Sequence, residues 1–182
     1  MASMNITALI LPGIGDSDPE HWQSLWQQSP SFVRVQQRDW NHPVCSEWVD
    51  VLEKSVAQTG ERVVLVAHSL GCLLVAHWAE QTRFKIKGAL LVAPPSPLSA
   101  LSADIFATAV SGFLPVPMQP LNFPSIVVAS SNDPYSNLDF TQSCADAWGS
   151  RFINVGAVGH INTSSDLGEW REGFVLFQQL AA

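Results

Sequence analysis

Along the chain, short runs of β-branched and aliphatic residues alternate with longer stretches in which apolar residues recur every three or four positions. That alternation predicts βα units wound around a parallel sheet. Six strands are expected, over residues 6–11, 32–36, 63–67, 88–93, 125–129 and 152–155. The run Val63-Val64-Leu65-Val66-Ala67 is apolar at every position, the pattern of a strand covered on both faces. The first helix is expected to open at Asp18-Pro19-Glu20, where an N-cap acid precedes a proline suited to the first helical position. Trp22 and Trp26 then share one helical face. Later helices are expected over about 45–58, 71–81, 138–148 and 168–180.

The segment 94–124 breaks this rhythm, with seven of the twelve prolines around an apolar stretch at 101–113. It reads as a long connection with at most one helix, serving either as a binding loop or as a plain surface excursion. No repeat, charge run or linker interrupts the 182 residues, so one domain over 1–182 is expected. With 47% hydrophobic and 14% charged residues, a chain of this length buries a core that needs no disulfide or structural metal. Cys45, Cys72 and Cys144 are odd in number and lack paired spacing, which argues against a disulfide framework or zinc site and for a cytoplasmic location.

The first eleven residues lack a basic leader region, and no apolar run approaches the length of a membrane span. A net charge of -7 disfavours contact with a nucleic-acid backbone.

The candidate chemistry begins where the strongest strand ends. Ala67-His68-Ser69-Leu70-Gly71 lies between that strand and a helix, the setting in which a G-x-S-x-G-like pattern carries meaning. A sharp strand-to-helix turn demands small residues two positions either side of the serine, and alanine meets the first demand. Ser69 then serves as a nucleophile or merely as a helix cap. A serine nucleophile needs a base, and the order along such a chain is Ser, then an acid, then His, each beyond a later strand. His160, in Gly156-Ala157-Val158-Gly159-His160, meets the demand for the base. Asp133, in Asn132-Asp133-Pro134, meets that for the acid, although this tripeptide is also an ordinary turn signal.

Asp139 and Asp146 fall inside an expected helix and Asp166 lies beyond the histidine, so they compete poorly. The oxyanion hole requires the N–H of Leu70 and a second from the loop Pro12-Gly13-Ile14-Gly15, with Ile14 the first candidate and Gly15 the next. Gly13-Ile14-Gly15 lacks the third glycine of a dinucleotide fingerprint, and no H-E-x-x-H pair is present. Neither cofactor nor metal is expected.

Across nearly its whole length the sequence resembles the small α/β-hydrolases of the retinoblastoma-binding-protein-nine-like family. The likeness is carried by Pro12-Gly13, His21-Trp22, Val66-Ala67-His68-Ser69-Leu70-Gly71-Cys72, Asn132-Asp133-Pro134, Gly159-His160-Ile161-Asn162 and Leu167-Gly168-Glu169-Trp170. The resemblance implies a six-stranded parallel sheet, a triad of Ser69, Asp133 and His160, and hydrolysis of carboxylic esters or related acyl bonds. A Leu-x-Cys-x-Glu motif for pocket proteins is absent, because Pro43 stands where its leucine belongs. His21 and Trp22 are candidates for the substrate-binding mouth, or else a surface histidine and a core tryptophan.

The reading that results is a doubly wound α/β-hydrolase-like domain with strand order 2-1-3-4-5-6 and a minimal lid. It is expected to act on a small-molecule acyl substrate. A non-catalytic binding module on the same fold and an acyltransferase using the same triad stand beside it as alternatives.

Overall fold

Six strands, β1 (Thr7–Leu11), β2 (Phe32–Arg34), β3 (Val63–His68), β4 (Gly88–Val92), β5 (Ser125–Ala129) and β6 (Arg151–Asn154), form one sheet. All neighbours run parallel, in the order β2-β1-β3-β4-β5-β6, as the sequence predicts. This computed structural model describes residues 6–101 and 104–182. Residues 1–5, read above as lacking a leader, and residues 102–103 of the long connection lie outside the described residues.

Alternation along each strand divides the core in two. Leu9, Leu65, Ala67, Leu91 and Val127 pack on the side of α2 (Cys45–Thr59), α3 (Leu70–Gln81) and α5 (Leu138–Trp148). Ala8, Ile10, Val64, Val66, Leu90 and Val128 pack on the side of α1 (Trp22–Trp26) and α6 (Arg171–Ala181). Because helices cover both faces, every position of β3 is buried, and each aliphatic side chain so placed contributes roughly 1.5–3 kcal/mol.

On the second face, Trp22 packs edge-on against Trp26 and Trp170, with ring centroids 4.8 and 5.0 Å apart. Both α1 indoles find acceptors: Trp22 Nε1 donates to the Ile161 carbonyl at 2.8 Å and Trp26 Nε1 to that of Glu169 at 2.6 Å. The sites of these acceptors tie α1 to the loop after β6 and to the approach of α6.

Two helix starts differ from expectation, and β2 ends at Arg34, two residues early. Asp18 caps a separate turn, its Oδ1 accepting from the N–H groups of Glu20 and His21, and α1 begins only at Trp22 with His21 Nδ1 accepting from the Gln23 N–H. Helix α6 starts at Arg171 and not at 168, because Trp170 adopts a left-handed conformation with φ 43° that a helix cannot continue through. The long connection contains a 3₁₀ turn at Pro97–Leu101 and α4 (Ile105–Ser111), whose Asp104 cap accepts from the Ala107 N–H.

Candidate active site

Between the last residue of β3, His68, and the first of α3, Leu70, the chain reverses through Ser69, with φ 53° and ψ −123°. A positive φ is costly for a non-glycine residue and is held here by its surroundings. The Ser69 N–H donates to the Val92 carbonyl of β4 at 2.9 Å, and its carbonyl accepts from Cys72. Glycines permit the crowding. A Cβ on Gly71 would stand 2.3 Å from the Leu11 carbonyl oxygen, and one on Gly13 would stand 2.9 Å from Ser69 Cβ and 3.2 Å from the Leu70 nitrogen.

The loops beyond β5 and β6 bring the other two residues to this turn. Ser69 Oγ lies 2.9 Å from His160 Nε2, and His160 Nδ1 lies 2.9 Å from each carboxylate oxygen of Asp133. The His160 and Asp133 side chains are only 7% and 3% exposed, so their bond is shielded from water. An ionised Asp133 accepts only, so Nδ1 carries the proton and Nε2 is left to accept from the Ser69 hydroxyl. Asp133 Oδ1 also accepts from the Tyr135 N–H at 2.9 Å, the Asx turn that Asn-Asp-Pro signals, so the turn and the acid are one feature.

Residues 130–132 stitch the two loops together. Ser130 Oγ accepts from Val158, Asn132 Oδ1 accepts from Gly159, and the Ser131 N–H donates to the Gly156 carbonyl, at 2.7–3.0 Å. Asp139 and Asp146 lie in α5, and Asp166 ends a 3₁₀ turn at Thr163–Ser165.

A cavity of about 240 Å³ opens beside Ser69 and His160. Ile14 and His21 form part of its wall. The N–H groups of Leu70 and Ile14 have no partner among the described residues. Two donors thus remain free where the Gly13 loop meets the start of α3.

His21 is 4% exposed, and with Nδ1 committed to Gln23 its Nε2 has no partner among the described residues. Burial pushes its pKa down to about 4, against the opposing pull of Asp18. Trp22 stands behind it, 1% exposed and outside the cavity wall.

Two aromatic residues that the sequence did not single out complete the wall. Phe106 of α4 packs at a tilt against Tyr135, centroids 4.2 Å apart, and Tyr135 stands edge-on to His160 at 4.7 Å. The 94–124 connection therefore reaches the site through Phe106. Among the described residues no cluster of three or more His, Cys, Asp or Glu side chains is placed to hold a metal ion, and no helix is long and apolar enough to cross a membrane.

Comparison with known proteins gives the same architecture. Residues 8–179 match the serine hydrolase family. A YdeN-like hydrolase from Pectobacterium atrosepticum is 32% identical, with TM-score 0.85 over 98% of this chain and 92% of the other. The ydeN gene product of Bacillus subtilis shares the fold at 19% identity, with TM-score 0.73 over 96% and 98% of the two chains. So does a thermophilic esterase from Thermogutta terrifontis, at 15% identity and TM-score 0.69 over 97% and 91%. None of the curated proteins matches the chain.

Proposed function

Because this chain belongs to the serine hydrolase family of α/β-hydrolases, we propose that it cleaves carboxylic esters or related acyl bonds of a small molecule through an acyl-enzyme on Ser69. The observation that carries the reading is the unbroken line of hydrogen bonds from Asp133 through His160 to Ser69. Ser69 Oγ attacks the acyl carbon while His160 Nε2 takes its proton, and Asp133 stabilises the imidazolium that results. The carbonyl oxygen, now negative, receives the N–H groups of Leu70 and Ile14. Collapse of the intermediate expels the alcohol with the proton from His160. Water then attacks the acyl carbon as His160 takes its proton, and His160 returns that proton to Ser69 Oγ as the ester bond to Ser69 breaks and the acid leaves.

The steps call on no cofactor or metal. The small cavity favours short acyl groups, and His21 in its wall supports a role in substrate contact. Free cysteines at 45, 72 and 144 support a reducing, cytoplasmic location.

A fluorophosphonate probe reacts with a serine only where a base and an oxyanion hole are assembled, so it reads the whole site. Wild-type protein is expected to label at Ser69 and to hydrolyse p-nitrophenyl acetate faster than the decanoate. Ser69→Ala is expected to lose both activities with an unchanged melting temperature. A wild type that resists the probe refutes the reading. Transfer of the acyl group to added hydroxylamine or alcohol in preference to water redirects it to an acyltransferase.

A further inference from the structure

His160 sits in the loop beyond β6, and two ring N–H groups meet the backbone of this segment. His68 Nε2 lies 2.9 Å from the His160 carbonyl oxygen, and Trp22 Nε1 lies 2.8 Å from the carbonyl oxygen of the next residue, Ile161. Both donors are buried, at 5% and 1% exposure. Between them Ile161, fully buried and β-branched, is held at φ 52°, a conformation that such a residue does not adopt unaided. On its other side the loop is fixed by Ser130 and Asn132 through Val158 and Gly159.

Taking His160 as the base, as the reading above does, we infer that His68 and Trp22 are positioning residues: a two-pronged clamp on consecutive carbonyls that aims the His160 imidazole at Ser69.

The clamp accounts for a residue that the fold alone does not. Strand β3 is apolar at Val63, Val64, Leu65, Val66 and Ala67, and any apolar side chain at 68 would continue it. A buried imidazole is costly unless its polar atoms are used. His68 uses Nε2–H as a donor to the His160 carbonyl. Burial, reinforced by the neighbouring imidazoles of His21 and His160, keeps its pKa well below the ordinary value. The His68 ring also lies 4.9 Å from the His160 ring, centroid to centroid, so the same side chain supports the imidazole it anchors. Without either prong Ile161 relaxes toward an ordinary conformation and His160 turns with it. A displacement on the order of 1 Å at a catalytic group costs about a hundredfold in rate.

The test is a series at position 68 with a partner at 22, each assayed for kcat and KM on p-nitrophenyl acetate, for fluorophosphonate labelling rate and for thermal stability. His68→Ala is expected to lower kcat about 10- to 100-fold with KM changed less than about threefold. It should also broaden or remove the far-downfield proton NMR signal of the His160–Asp133 bond. His68→Gln, whose amide nitrogen reaches the place of Nε2, is expected to restore kcat to within about fivefold of wild type, whereas the shorter His68→Asn is not.

Trp22→Phe is expected to act in the same direction. Combined with His68→Ala it should cost less than the product of the two single losses, because both act on one backbone segment. Wild-type kcat and an intact downfield signal in His68→Ala overturn the inference, as does a Gln variant no better than Asn at equal stability. If His68→Ala does not fold, the Gln and Asn pair decides alone. Failure of the wild type to label overturns the hydrolase reading itself, whereas rapid labelling of both wild type and His68→Ala overturns only the clamp.

Discussion

Adding one methyl group at Gly13 places a Cβ 2.9 Å from Ser69 Cβ, 3.2 Å from the Leu70 nitrogen and 3.3 Å from the His68 carbonyl oxygen. Ordinary carbon contacts begin near 3.4 Å, so the loop and the Ser69 turn must part by roughly 0.5 Å or more. The atoms that would move include both proposed oxyanion donors, since Ile14 follows Gly13 and Leu70 follows Ser69. Complete loss of one such donor costs on the order of 10²–10³ in kcat, so a partial displacement is expected to cost about 10- to 100-fold, or about 1.4–2.7 kcal/mol in the barrier. Overpacking should also remove about 1–3 kcal/mol of stability.

The assay is kcat on p-nitrophenyl acetate, normalised to fluorophosphonate-titrated sites, beside urea unfolding. Gly149→Ala is the control: its φ of 68° strains alanine by about 1–2 kcal/mol, yet nothing lies within 4 Å of the new methyl. Its stability should fall and its kcat should not. A folded Gly13→Ala enzyme within twofold of wild-type kcat would refute the assignment of this loop to the oxyanion hole.

Three further outcomes are expected. His21 has a folded pKa of about 4 against an ordinary value near 6.5, so the unfolded chain takes up the proton first. Its contribution is complete above pH 6.5 and is lost as pH falls from there toward 4, roughly 2 kcal/mol between pH 7 and 5, with His68 adding in the same sense. Urea unfolding at the two pH values measures this, and His21→Gln should flatten the slope. Asp133→Asn should preserve the melting temperature and lower kcat by about 10⁴, the magnitude for the same change in an unrelated triad. Glu53 Oε2 accepts from Trp78 Nε1 at 2.6 Å and from Thr82 Oγ1 at 2.9 Å, joining α2 to α3 and its C-cap. Glu53→Ala should therefore cost about 1–3 kcal/mol in urea unfolding with kcat unchanged.

The sheet was legible because its strands are nearly continuous aliphatic runs, and Ser125–Ala129 and Leu138–Trp148 fall where the pattern puts them. Boundaries failed where side chains near a helix end compete for it. At α1, Asp18 closes its own turn and leaves the cap to His21, a choice that depends on the histidine's burial and not on local propensity. Ser69, Asp133 and His160 were legible as candidates because each lies just beyond a recognisable strand.

The proposed roles of His68 and Trp22 were not readable, because their acceptors lie 92 and 139 residues away. Phe106 was hidden for a related reason. It sits in the proline-rich excursion, whose sequence carries no period that would aim a side chain at the site.

Strand β6 is four residues long, lies at the edge of the sheet and is exposed at both of its ends. Short outer segments open at free energies well below that of the whole fold, and hydrogen exchange resolves such openings. His160 lies in the loop beyond this strand, so each excursion of the edge strains the contacts that hold the proposed base against a serine seated in the rigid centre. Under denaturant, turnover should vanish while β1, β3 and β4 remain protected from exchange. The working range of the enzyme is then set by its outermost strand, and a stronger core would leave that range where it is.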